Sequence, residues 1–368
     1  MPNSSLIFPY DMSNISVLLH KNKFNCSIDY VISPASWGFT SKDSGHIFGI
    51  QTDKIVVGEK NFDSIIKKVD TVILLDSKPF FDEFEIFLYA IKSLEKKKNV
   101  ICLRDIKQSY IEILKNASRY YGVDFICDWQ DSVPTIVSSN YKIISPNIPV
   151  INISGVAENT GKFETLLTLK ESFENMGYRA LCISGKIYGE FFGIYSYPMF
   201  MFDERVPVDD KILRFNYYIN ELCYSDNFDL ILIEIPGGTY PVSDKIYENF
   251  SFQHFLVNNS VSFDLSIVNL LYENYNLDYF DWLQINLKNK YSYNAFAYIV
   301  SNNMINWNAM SIEREACYIT IGSEYIDNYI KTLKSPYNMY SVFNKVGFRQ
   351  LTQKIVTYLS SEESFDII

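Results

Sequence analysis

Residues 149–170, PVINISGVAENTGKFETLLTLK, contain the residue types that can hold a phosphate. Gly155 and Gly161 bracket a loop, and Lys162 stands where a helix should begin. Glycines let the backbone turn tightly, so successive N–H groups and the helix N-terminus can point at one anion while the lysine adds a full positive charge. The usual P-loop has four residues between its glycines and Ser or Thr after the lysine. Here Val156 to Thr160 make five, and Phe163 follows Lys162. We therefore read Gly155, Glu158, Asn159, Thr160, Gly161, Lys162 and Phe163 as the nucleotide-facing stretch of a variant P-loop. The alternative is an ordinary strand-to-helix turn whose Lys162 is merely solvated.

Two later stretches could face the same anion. SGKIYG (184–189) places Lys186 just beyond an apolar strand, and FDLILIEIPGG (228–238) closes an apolar run on Glu234 before Gly237 and Gly238. Magnesium prefers hard oxygen ligands, directly or through water, so a carboxylate at the end of such a strand suits a magnesium nucleotide. The paired glycines let backbone approach closely. Asn302, in Ser301–Asn302–Asn303 after a late strand, is placed to read a purine edge through its paired donor and acceptor, although capping and turn duty are the commoner uses.

The elements that must position these residues follow from periodicity. Val150, Ile151 and Ile153 are β-branched and nearly continuous, as in a strand covered on both faces, and Leu166, Leu169, Phe173 and Met176 recur at helical spacing before Gly177. Upstream, Tyr30–Ser33, Thr71–Asp76, Val100–Leu103 and Val123–Cys127 read as strands. They alternate with a helix carrying Phe87, Ala90, Ile91 and Leu94, and with another over Gln108–Tyr121. The pattern predicts an N-terminal Rossmann-like open sheet over 1–135 and a P-loop domain with a mostly parallel sheet over 148–368, joined through a Ser- and Pro-bearing segment. In the first domain Trp37, in SPASWGFTSKDSG, could clamp a ligand or fold back as a lid on the core. In the second, 189–207 reads as a structured excursion and Asp209–Cys223 as a helix. Phe263–Leu271, Ala295–Ser301 and Ala316–Ile321 complete the sheet, and Phe348, Leu351, Ile355 and Leu359 make the last helix amphipathic.

The chain has 368 residues, 48% of them hydrophobic, enough for two cores. A net charge of -10 without a dense basic stripe argues against nucleic acid as a partner. The start, MPNSSLIFPY, lacks a basic region followed by a long apolar run, and no apolar stretch spans a bilayer, so a cytoplasmic protein without membrane partners is expected. The six cysteines show no C-x-x-C, and Cys102, Cys127 and Cys182 lie in or beside apolar runs, as buried thiols do. His20, His46 and His254 are far apart and without ligand spacing, which gives a zinc site little support.

GVAENTGK, SGKIYG and ILIEIPGGTYP resemble dethiobiotin synthetase and its relatives among the SIMIBI-type nucleotide-binding proteins, across the second domain. The resemblance implies that Lys162 and Lys186 serve the phosphates and substrate, and that Glu234, with Asp203, holds magnesium. Phe163 and Ile235–Pro236 depart from the family pattern. Over the whole chain, SWGFTSKD followed by ENTGKF resembles an accessory family of bacterial ribosomal-peptide (RiPP) maturation systems. That implies a role in processing or activating a precursor peptide, with the peptide and a maturation enzyme as partners; the expected cofactors of the P-loop are ATP or GTP with magnesium, and a homodimer is a further option. The expected function is an ATP-dependent ligase or NTPase acting on a peptide or small carboxylate. The alternative is a non-catalytic nucleotide-binding scaffold that recognises a precursor peptide or partner enzyme.

Overall fold

In the computed structural model the described residues are 3–20, 26–127, 142–313 and 316–361. The chain divides into two compact units, Met1–Gln130 with Glu190–Phe192, and Asp131–Gly189 with Gly193–Ile368. The segment 128–141, where the sequence suggests a linker, lies outside the described residues.

The first unit is built on β1 (Asn3–Phe8), β2 (Cys26–Ser33), β3 (Val56–Gly58), β4 (Thr71–Leu75), β5 (Asn99–Leu103) and β6 (Phe125–Ile126). They form a parallel sheet in the order β3-β2-β1-β4-β5-β6, which reverses direction between β1 and β4 as a doubly wound Rossmann sheet does. The connecting helices are α1 (Ile15–Leu19), α2 (Phe62–Ile65), α3 (Glu83–Glu95) and α4 (Gln108–Tyr121). Every residue of β4 is buried, as a strand covered on both faces requires. Trp37 takes the lid position: it packs on the core with its ring edge-on to Phe81 at 5.9 Å. The turn after β1 is closed by the buried Asp11 carboxylate, which accepts from the backbone N–H groups of Ser13 and Lys78, both at 2.6 Å.

The second unit contains β7 (Val150–Gly155), β8 (Ala180–Ser184), β9 (Tyr195–Ser196), β10 (Leu230–Glu234), β11 (Leu265–Leu270), β12 (Ala295–Val300), β13 (Asn303–Ile305), β14 (Tyr318–Thr320) and β15 (Asn338–Ser341). Its helices are α5 (Lys162–Asn175), α6 (Val208–Ser225), α7 (Phe252–Ser260), α8 (Leu277–Tyr291), α9 (Trp307–Glu313), α10 (Ser323–Leu333) and α11 (Lys345–Leu359). The main sheet is parallel in the order β15-β12-β11-β7-β10-β8-β9. One expectation needs correction. The run Ala316–Ile321 supplies β14, which pairs antiparallel with β13 in a separate hairpin, and the sheet edge is made instead by β15. Asn338–Ser341 is short and half polar, so it carries little period-2 signal.

Because the strands of each main sheet are parallel, every carboxyl strand end lies at one edge, where the helices that follow the strands begin. Glu234 at the end of β10 and the loop after β7 are thereby adjacent, because β10 and β7 are direct neighbours with Glu234 opposite Ile153. Among the described residues no helix is long and apolar enough to cross a membrane.

Candidate functional site

The loop after β7 is held by contacts that its sequence anticipates only in part. Asn159 and Gly161 adopt left-handed backbone at φ 58° and 74°, which reverses the chain into α5. A Cβ on Gly155 would lie 2.3 Å from Thr160 Oγ1 and 3.1 Å from Lys162 Cδ, so only glycine fits under the loop. The buried Thr160 hydroxyl donates back to the Ala157 carbonyl at 3.2 Å, and the Val156 N–H donates to Asn269 O on β11 at 2.9 Å.

The Gly237–Gly238 turn lies directly against this loop. Thr239 N donates to Gly155 O at 2.8 Å and Tyr240 N to Val156 O at 3.2 Å. A Cβ on Gly238 would come within 2.7 Å of Ala157 Cα, so the close approach expected of the glycines is realised against the loop itself. Lys162 is only 5% exposed rather than reaching freely into solvent. Its ammonium donates to Gly237 O at 2.5 Å and pairs with Glu158 at 3.6 Å. The ammonium is thus a buried cation whose partners are one carbonyl and one half-open carboxylate.

Glu234 is buried, and its Oε2 accepts from Ser184 Oγ at 2.8 Å and Gly185 N at 3.1 Å, which ties the ends of β10 and β8 together. Lys186 follows in the same turn, with solvent reaching its side chain. Coulomb attraction raises its pKa, with Tyr188 the largest contributor; desolvation opposes it, and Glu164, Glu234 and Glu158 add to the attraction. Lys162, Lys186, Glu158 and Glu234 thus converge at one sheet edge. Phe163, where a P-loop usually carries a hydroxyl, is 3% exposed and packs edge-on to Tyr188 at 5.3 Å. The next hydroxyl along the helix, Thr165, is buried and bonded to the Asn269 amide at 3.2 Å.

The remaining candidates fall differently. Asp203 binds Arg205: Oδ1 accepts from Arg205 Nε and backbone N at 2.9 Å each, and Oδ2 from Nη2 at 2.8 Å. That hydrogen bonding pulls the Asp203 carboxyl down to about 2. Asn302 donates to Ile321 O at 2.6 Å and Ser323 Oγ at 3.1 Å, and its buried Oδ1 has no protein partner. Its neighbour Asn303 reaches the loop itself, donating to Asn159 O at 2.8 Å. Among the described residues no three His, Cys, Asp or Glu side chains converge.

Sequence reasoning missed a buried relay beneath the loop. His254 Nε2 lies 2.7 Å from Tyr293 OH, which in turn lies 3.3 Å from Ser154 Oγ on β7. Burial, followed by the ammonium groups of Lys162 and Lys290, pushes the His254 pKa down to about 3. A lone histidine with no neighbours of ligand type in sequence offers no signal for such a role.

No family model matches the sequence, and no curated protein does. The fold of the whole chain is similar to that of a DUF1611-family protein from Anabaena variabilis, with a TM-score of 0.62 at 12% identity over 96% of this chain and 99% of that one. A LAO/AO transport system kinase gives a TM-score of only 0.32, at 10% identity over 83% of this chain and 76% of that one.

Proposed function

We propose that the second unit binds ATP or GTP with magnesium, and that the chain uses the nucleotide to activate a peptide or small carboxylate in a peptide-maturation system. The observation that carries this reading is the buried Lys162 ammonium, held between the Gly237 carbonyl and Glu158 beside a loop that turns into α5 through the left-handed residues Asn159 and Gly161. Lys162 and Lys186 supply two positive charges on the phosphates. The single unbonded oxygen of Glu234, Oε1, would hold the metal or its water. Asp203 would have to give up Arg205 to serve the same metal, so the metal reading rests on Glu234. The buried, unpartnered Oδ1 of Asn302 supports its assignment to the base. When bound, the magnesium nucleotide supplies a transferable phosphoryl group. A precursor peptide, a maturation enzyme and a second copy of the chain are the proposed protein partners.

A second reading, a non-catalytic nucleotide-binding scaffold, is favoured by one observation: Phe163, locked against Tyr188, replaces the hydroxyl that would ligate magnesium. Calorimetry on Lys162→Ala tests the shared premise, since loss of one charge-assisted contact should weaken triphosphate binding at least tenfold. Unchanged affinity for both ATP and GTP would remove it. Steady-state hydrolysis with and without candidate peptides then separates catalyst from scaffold.

A further inference from the structure

The carboxyl edge beyond Glu234 holds a second group of polar side chains that the nucleotide reading does not use. β9 runs parallel to β8, with Ser196 opposite Ser184, and this carries Tyr197 over the strand ends. The Tyr197 hydroxyl and Ser196 Oγ are both buried without a protein partner. Glu234 acts on that hydroxyl, whose pKa is raised chiefly by burial and then by the Glu234 charge.

The Tyr197 ring stacks on Phe215 of α6 at 5.0 Å and 12°. One helical turn earlier on the same face stands Lys211, which is 3% exposed. Its ammonium makes no hydrogen bond or ion pair among the described residues. It lies 5.3 Å from the centre of the Phe252 ring, at the start of α7. Asp203 shares its field but is bound by Arg205. Beside Phe252, Gln253 donates to Met201 O at 3.1 Å, which orients its amide and leaves a buried Oε1 with no donor.

Gln253 Oε1 is a buried acceptor without a donor, which is costly, and Asp203, the carboxylate that feels the Lys211 charge, is already engaged by Arg205. The helices α6 and α7 both begin at this edge, so their N-terminal dipoles also favour a negative charge there. We propose that this edge is an acceptor site for a molecule bearing a carboxylate next to an N–H, such as the C-terminal residue of a peptide or an N-acyl amino acid. Lys211 and the Tyr197 hydroxyl bind the carboxylate, and Gln253 Oε1 takes the N–H. The inference rests on the nucleotide reading for its purpose, because Glu234 stands between this group and Lys162, but its test does not depend on that reading.

The test uses the full chain and N-acetylglycine as probe, with acetate and inorganic phosphate as comparisons at matched ionic strength, followed by chemical-shift titration. The wild-type chain should bind N-acetylglycine more tightly than either comparison anion. Lys211→Met should weaken that binding tenfold or more while leaving ATP affinity unchanged. Lys162→Ala should lose ATP and keep N-acetylglycine. Equal probe affinity in wild type and Lys211→Met would overturn the proposal whatever ATP does. A preference for phosphate over N-acetylglycine would also overturn it. If Lys162→Ala keeps its ATP affinity, the nucleotide reading fails and the acceptor site stands on its own titration.

Discussion

Replacing Gly238 with Ala probes the claim that the Gly237–Gly238 turn supports the phosphate loop. The added Cβ would lie 2.7 Å from Ala157 Cα, 2.8 Å from Val156 O and 3.1 Å from Tyr240 O. All three atoms are backbone, so no side chain can rotate away and the loop itself must shift by several tenths of an ångström. Overpacking of this kind costs about 1–3 kcal/mol. For a unit of this size each kcal/mol moves the midpoint by about 2–4 °C, so the melting temperature should fall by about 2–12 °C. Triphosphate affinity should fall with it, because the displaced atoms belong to the cradle. Gly322→Ala is the control: nothing lies within 4 Å of its added Cβ and its φ is -64°. Its effect should stay within about 1 kcal/mol, with nucleotide affinity intact. The assay is a thermal melt with calorimetric titration on the three proteins. A Gly238→Ala chain that melts and binds like wild type would refute the packing of this turn on the loop.

Glu234→Gln should reduce the magnesium-dependent tightening of nucleotide binding by about 1.5–3 kcal/mol, while metal-free binding survives or strengthens; titration with and without magnesium checks this. Identical magnesium dependence in the two proteins would take Glu234 out of the metal role. For His254 the folded-state pKa of about 3 lies below the ordinary 6.5, so the unfolded chain binds the extra proton. The stability associated with neutral His254 is complete above pH 6.5 and is lost as pH falls towards 3, at up to about 1.4 kcal/mol per pH unit. Denaturant melts across that window should show a shallower decline in His254→Gln, and parallel declines would show that His254 is not held neutral.

The fold class was legible because each strand of a doubly covered parallel sheet is a local apolar run, as in Thr71–Leu75 and Leu230–Glu234, and each helix announces its buried face within its own span. The strand-turn-helix order around Gly155 and Lys162 was legible for the same reason, because the end of β7 and the start of α5 lie within one short stretch. β15 escaped because a short, half-polar edge strand has almost no pattern of its own, and its place depends on the exposed edge of β12.

Side-chain partnership was not legible, since it depends on which residues the crossovers bring to one edge. Periodicity shows that Lys162 opens a helix, yet only the packing of the Gly237 turn decides that its ammonium is buried. Asp203 and Glu234 look alike as carboxylates in sequence. The fold closes one with Arg205 and sets the other between two strand ends. Lys211 reads as an ordinary residue of an amphipathic helix, and only the packing of α7 beside α6 sets its ammonium 5.3 Å from the centre of the Phe252 ring. Sequence by itself determines which segments must be buried, because that follows from the water-avoiding face of each segment. Tertiary structure alone decides which buried charges meet, because the Coulomb and hydrogen-bond terms that pair them act over a few ångströms between residues far apart in the chain.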